Sequence, residues 1–240
     1  MKYAIISDIH ANLEALVATF EAVDRAGVDK VVCLGDIVGY GADPNECVDM
    51  VRKHCDVAIL GNHDAVACGI DDAEGFNPIA RQAIMWTREV LSEANAEFLR
   101  ALPREGEMGD FIYVHGALSD PDKYITSTYA ACEEFSLMGD ADLCFFGHTH
   151  VALHYVLEGS RIAEGTDGEL VLVAGCKYLV NPGSVGQPRD RDPRSAHIVY
   201  DSEGRLIERR RVEYDIERAH DKIVQAGLDP RLAVRLFFGL

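Results

Sequence analysis

Positive charge is in short supply in this 240-residue chain: 23 Lys and Arg stand against 40 Asp and Glu, a formal net charge of −17. Binding along a nucleic acid polymer rests on basic patches that neutralise phosphates. A general role on DNA or RNA is therefore not expected. Long apolar runs are absent too, none approaching the ~18 residues of a membrane span. The apolar stretch from Tyr3 to Ile6 is too short for the h-region of a signal peptide and ends at Asp8, so neither export nor membrane insertion is expected. The seven cysteines contain no C-x-x-C pair and form an odd, scattered set. Reduced, mostly buried thiols follow, which suits the cytoplasm. No low-complexity tract, internal repeat or linker interrupts the chain, and one domain over 1–240 is expected.

What is present reads as a globular protein, with 48% hydrophobic and 26% charged residues. Short apolar runs at 2–7, 30–34, 56–60, 111–114 and 142–146 alternate with helical patterns, as parallel strands and crossover helices do. Leu13, Leu16, Val17, Phe20, Val23 and Ala26 mark a helical face that Gly27 ends. Asp43-Pro44 opens a second helix in the manner of an N-cap followed by proline. Residues 65–104 break the rhythm and read as a helical insertion, a loop plus a helical hairpin starting at Asn77-Pro78. After residue 150 the runs at 151–157, 169–173, 177–180, 196–200 and 205–211 predict an antiparallel second sheet. A helical segment over about 215–240 closes the chain. Its apolar end, Leu236-Phe237-Phe238, is expected to dock on the core, with a homo-oligomer contact as the alternative.

Five short segments each close a hydrophobic run: Asp8-x-His10, Gly35-Asp36, Gly61-Asn62-His63-Asp64, His115-Gly116 and Gly147-His148-Thr149-His150. All fall just after the carboxyl end of an expected strand, where open α/β sheets gather functional groups. Within Asp8-x-His10 and His148-x-His150, residues two apart in an extended segment point the same way and can aim at one place. Taken singly, an Asp-x-His is commonly accidental and a Gly-Asp commonly a turn. Their occurrence together, each after a buried strand, predicts a shared metal site.

In these segments the sequence resembles the calcineurin-like metallophosphoesterases, whose pattern is D-x-H, G-D, G-N-H-D, a lone H and G-H-x-H. The likeness covers residues 1–150, and Asn181-Pro182-Gly183-Ser184 resembles a later element of the family. The resemblance implies an α/β four-layer αββα sandwich of two mixed sheets with a dinuclear site at the strand ends. It makes Asp8, His10 and His150 ligands of one metal, Asn62, His115 and His148 ligands of the second, and Asp36 the bridge, its carboxylate having two oxygens to span two cations. Mixed carboxylate and imidazole ligation suits Mn, Fe, Zn or Co better than Ca or Mg. Two divalent ions, Mn or Fe, are expected, with Zn the alternative.

Two such cations about 3.5 to 4 Å apart can hold a hydroxide for in-line attack on a phosphoryl group. By resemblance His63 is the acid for the leaving oxygen, its alternative being a third ligand, and Asp64 would orient it and raise its pKa. Asn12 is either a helix cap or a phosphate contact. Arg189 either grips phosphate or joins a surface salt bridge. The chain lacks the G-D-x-x-D-R-G extension of the family's protein phosphatases, reading Gly35-Asp36-Ile37-Val38-Gly39-Tyr40-Gly41, and has no arginine just after His115. The expected activity is hydrolysis of a small phosphomonoester or phosphodiester. A dinucleoside polyphosphate hydrolase, a protein phosphatase and a non-catalytic metal-binding scaffold are the alternatives.

Overall fold

The computed structural model describes residues 1–240. The chain opens with β1 (Lys2–Ile6), α1 (Leu13–Ala26), β2 (Lys30–Cys33), α2 (Pro44–His54), β3 (Val57–Ala58) and α3 (Asn62–Ala67). Next come α4 (Pro78–Val90), α5 (Glu93–Arg100), β4 (Glu105–Met108), β5 (Phe111–Val114), α6 (Thr128–Leu137) and β6 (Leu143–Phe146). The remainder is β7 (Ala152–Glu158), β8 (Arg161–Gly165), β9 (Glu169–Val171), β10 (Cys176–Pro182), β11 (Ser195–Asp201), β12 (Leu206–Val212), α7 (Ile216–Gln225) and α8 (Pro230–Val234), with a 3₁₀ turn at Arg235–Phe237. No helix is long and apolar enough to cross a membrane.

The strands form two six-stranded mixed sheets, ordered β3-β2-β1-β11-β12-β9 and β4-β5-β6-β10-β7-β8. In the first, β3, β2 and β1 run parallel and β11, β12 and β9 continue antiparallel. In the second, β5, β6 and β10 are parallel, with antiparallel wings β4 and β7-β8. The late strands do not make a sheet of their own, as their sequence pattern predicts. They divide between both sheets, because β11 pairs with β1 and β10 with β6, so each early parallel set gains an antiparallel flank.

Side-chain alternation along these strands builds the layers. Tyr3 and Ile5 of β1 face the inter-sheet core with Phe111, Tyr113, Leu143, Phe145, Val180 and Tyr200. Ala4 and Ile6 turn the other way, onto Leu16, Phe20 and Val23 of α1. On the far side Val114, Cys144 and Phe146 pack against Ala131 and Phe135 of α6. Strands apolar on both faces can be covered only by a sheet on one side and helices on the other. The result is the four-layer αββα sandwich.

Local signals explain most element ends. Asn12 Oδ1 accepts from Ala15 N at 3.1 Å to cap α1, and Gly27, at φ 62, ends it in the left-handed conformation. Val17 lies on the solvent side of α1 at 39% exposure, outside the face expected of it. Asp43 precedes the proline of α2 but makes no capping bond. Its carboxylate instead holds Lys222 at 2.9 Å, tying α2 to α7. Asn77 does cap α4, accepting from Ile79 N and Ala80 N. The C-terminal helices bury Leu232 and Leu236 against Tyr40 and against Ala80 and Ala83 of α4, while Phe237 and Phe238 stay exposed.

Candidate metal centre

The ligand-type residues sit on loops leaving β1, β2, β5 and β6 and at the first turn of α3, at one end of both sheets. Asp8, His10, Asp36, His148 and His150 all have positive φ, between 51° and 66° except for His10 at 49°. The Asp8/His10 and His148/His150 pairs therefore converge through left-handed turns and not through the extended backbone that their spacing suggests. Left-handed geometry at non-glycine residues is costly and persists where the surroundings impose it. Here the clamps are visible: Ser184 Oγ donates to Asp8 O at 2.7 Å, and Asn181 Nδ2 donates to Gly147 O at 2.7 Å. Gly61 and Gly147 permit the closest approaches. A Cβ on Gly61 would stand 2.2 Å from Asp36 Oδ1, and one on Gly147 would stand 2.1 Å from Ser7 Oγ.

The side chains form two sets that share one residue. Asp8, His10, Asp36 and His150 offer donor atoms within 4.8 Å of one another, and Asp36, His115 and His148 do likewise. Asn62 joins the second set, its Oδ1 lying 3.2 Å from His115 Nε2. Asp36 Oδ2 stands 3.6 Å from His10 Nε2 and 3.3 Å from His115 Nε2, whereas Oδ1 accepts from His63 N at 2.9 Å. A single oxygen thus faces both sets, in place of the two expected to span them.

The backbone fixes which nitrogen each imidazole presents. His10, His115 and His150 place Nδ1 against the carbonyls of Val38, Leu34 and Gln187 at 3.1, 2.8 and 2.6 Å, leaving Nε2 directed inward. His148 is the reverse: Nε2 meets Asp122 O at 3.1 Å, so Nδ1 is left for the site. Such carbonyl contacts hold ligating histidines in the required tautomer and orientation. No motif in the sequence announces these carbonyls.

Electrostatics test whether cations fit. Asp8 Oδ1 is buried with no hydrogen-bond partner, while Oδ2 accepts from His148 N at 3.1 Å. An orphaned carboxylate oxygen inside a protein is costly unless something positive meets it. Burial pushes the Asp8 carboxyl up to about 7, against the pull of His115. Burial likewise keeps His10 and His150 below the ordinary imidazole range and His148 down at about 3, so all three stand as neutral donors. Burial opposes charge on His115 and Asp36 as well, yet their mutual attraction prevails, raising the imidazole to about 10 and holding the carboxyl low. The donor set fits two divalent cations sharing Asp36.

The comparisons with known proteins agree with this geometry. A profile of the calcineurin-like phosphoesterase superfamily domain matches residues 1–204. The chain belongs to the calcineurin-like phosphoesterase superfamily. It is 40% identical over 242 residues to an uncharacterized protein of Methanocaldococcus jannaschii, covering 98% of this chain and 97% of that one. The crystal structure of a metallophosphoesterase from Sphaerobacter thermophilus superposes with a TM-score of 0.88 at 38% identity, over 100% of this chain and 99% of that one. A hypothetical protein from Pyrococcus horikoshii shares the fold alone, with a TM-score of 0.83 at 20% identity over 100% and 98% of the two chains.

Around this calcineurin-like centre, the expectations for Asp64, Asn12 and Arg189 meet the structure differently. The Asp64 carboxylate makes no hydrogen bond to the His63 ring: its oxygens accept from Val38 N at 3.0 Å and Gly61 N at 3.2 Å, so it ties the start of α3 to the loop after β2. Asn12 takes the helix-cap alternative, accepting from Ala15 N, and donates from Nδ2 to Gly186 O at 2.8 Å. Arg189 forms no salt bridge. It donates to Gln187 Oε1 at 2.9 Å, lies 5.7 Å over the Tyr40 ring and has a buried, unpartnered Nε.

His63 falls in neither ligand set. Its ring packs on Tyr40 and Phe76, with centroids at 4.5 and 4.6 Å, and its Nδ1 is buried without a partner. Burial lowers its pKa to about 4 against the pull of Asp36. With Tyr40, Asn62, Phe76, Tyr124 and His148 it lines a cavity of about 410 Å³ beside the centre. Tyr124, stacked 3.9 Å from His148, carries no sequence signal and was not anticipated.

Proposed function

We propose that this protein hydrolyses phosphate esters of small molecules at a centre of two divalent ions, Mn or Fe, held by Asp8, His10, Asp36, Asn62, His115, His148 and His150. The observation that carries the reading is the single Asp36 oxygen facing both ligand sets, next to the bare Asp8 oxygen and an open cavity. When bound, two such ions supply an activated water at neutral pH and neutralise phosphoryl charge.

The chain's own groups do the rest. Carbonyls of Leu34, Val38, Asp122 and Gln187 hold the imidazoles in place, and the aromatic wall of buried Tyr40 and half-buried Phe76 restricts water around His63. His63 donates a proton from its ring to the departing ester oxygen. Because burial keeps the free ring neutral near pH 7, the ring takes up that proton from solvent as the substrate binds, the negative phosphoryl charge favouring the imidazolium. The small cavity and the missing G-D-x-x-D-R-G extension favour small phosphomonoesters or phosphodiesters over phosphoproteins. A cytoplasmic setting fits the seven unpaired cysteines, five of them buried.

The test is a panel of aryl phosphomonoesters, phosphodiesters and dinucleoside polyphosphates on protein reconstituted separately with Mn, Fe, Zn and Mg, with bound metal quantified. Hydrolysis dependent on Mn or Fe is expected. Metal binding without hydrolysis of any ester would replace the enzyme with a metal-binding scaffold.

A further inference from the structure

The centre's cavity adjoins a second one of about 370 Å³, the two sharing Tyr40, Asn77, Ala80 and Tyr124 as walls. The second is lined by Arg189, Arg231 and Arg235 and by no acidic residue. In a chain with 40 acidic and 23 basic side chains, three arginines around one carboxylate-free cavity depart sharply from the average surface.

The three differ in what satisfies them. Arg231 is already paired with Asp229 through two bonds, at 2.9 and 2.7 Å. Arg189 forms no salt bridge: it bonds only Gln187 Oε1, with Nε buried and orphaned. Arg235 donates through Nε to a main-chain oxygen of Leu240, the last residue. Burial and the neighbouring Arg189 charge lower the Arg235 pKa to about 10. The two half-buried guanidinium groups repel one another, and an anion between them would relieve that repulsion. The first cavity differs in sign at its outer edge, where Asp71, Asp72 and Asp122 lie. An anionic extension of a bound ester is thus repelled on that side and attracted past Tyr40 and Tyr124 on the other.

We propose that Arg189 and Arg235 form a subsite for a second phosphoryl group, so that the substrate is a small organic molecule bearing two phosphates, one at the metal centre and one at the arginines. This rests on the phosphoesterase reading above and narrows its substrate class. Tyr40 and Tyr124 then flank the organic part between the two phosphates.

A series of alkanediol bisphosphates of increasing length, each compared with the matching alkyl monophosphate, tests it on the metal-loaded enzyme. At the length that reaches both cavities, kcat/KM for the bisphosphate should exceed that for the monophosphate by about 10- to 100-fold, the effect of charge-assisted bonds to one phosphate. Arg235→Met, which keeps the apolar stem, should reduce that ratio to about 1 through KM, and Arg235→Lys should restore part of it. Monophosphates turned over with no bisphosphate advantage at any length, or an advantage unchanged in Arg235→Met, would overturn the subsite and leave the phosphoesterase standing. No turnover of either series would overturn both.

Discussion

His63 and Gly39 are one unit at the scale of single residues. Gly39 has φ 91, and a Cβ there would lie 2.4 Å from His63 Nδ1, so the glycine provides the space in which the ring stands. His63→Ala should keep its full metal content and lose turnover by about 10²- to 10⁴-fold, as loss of an acid catalyst does; elemental analysis beside steady-state rates separates this from ligand loss. Gly39→Ala should lower kcat in the same direction by displacing the ring, without changing metal content. Away from the site, burial and Arg210 hold buried His197 neutral with a pKa of about 4. The unfolded chain binds that proton first, near the ordinary imidazole pKa, so stability is present above it and declines as pH falls toward 4. Between pH 7 and pH 5 this amounts to about 2 kcal/mol. His197→Leu should flatten the drop in Tm over that interval relative to wild type. At this scale the sequence exposes the ligand residues because each follows an apolar run, and the cap at Asn12, but not the role of Asp64, which is set by backbone donors that no side-chain pattern encodes.

Among the elements, the loop after β10 shows how remote segments hold the centre. Asn181 Nδ2 reaches both Gly147 O and Thr149 Oγ1, and its Oδ1 accepts from Gly183 N at 2.8 Å, so one amide fixes the turn carrying His148 and His150. Asn181→Ala should lower metal affinity about 10- to 100-fold while the protein remains folded, measured by competition with a chelator. The strands β1, β2, β5 and β6 are legible because their apolar runs are buried on both faces. Helix α6 is not: Tyr129, Cys132 and Leu137 point to solvent, while Glu134 is buried on Ser119 and Lys123, so no apolar stripe marks it. Strands β4 and β8 are equally silent. Each is a sheet edge whose residues are mostly exposed or half-exposed, and pairing with β5 and β7 creates them where side-chain pattern does not.

For the whole molecule, the four layers follow from strands apolar on both faces, but the mixing of late strands into both sheets depends on long-range pairing that local pattern cannot specify. That mixing has a functional result, since it brings residues 181–189 against the loops after β1 and β6. The acidic surface then leaves two places for positive charge near the cavity, the metal centre and the Arg189–Arg235 pocket. The central claim is that one Asp36 oxygen joins two cation sites, and counting bound metal in wild type and Asp36→Ala after reconstitution with Mn tests it most directly. Two ions per chain in wild type, at most one in Asp36→Ala and no phosphoesterase turnover in the variant are predicted. Two ions retained in Asp36→Ala with turnover intact would contradict it.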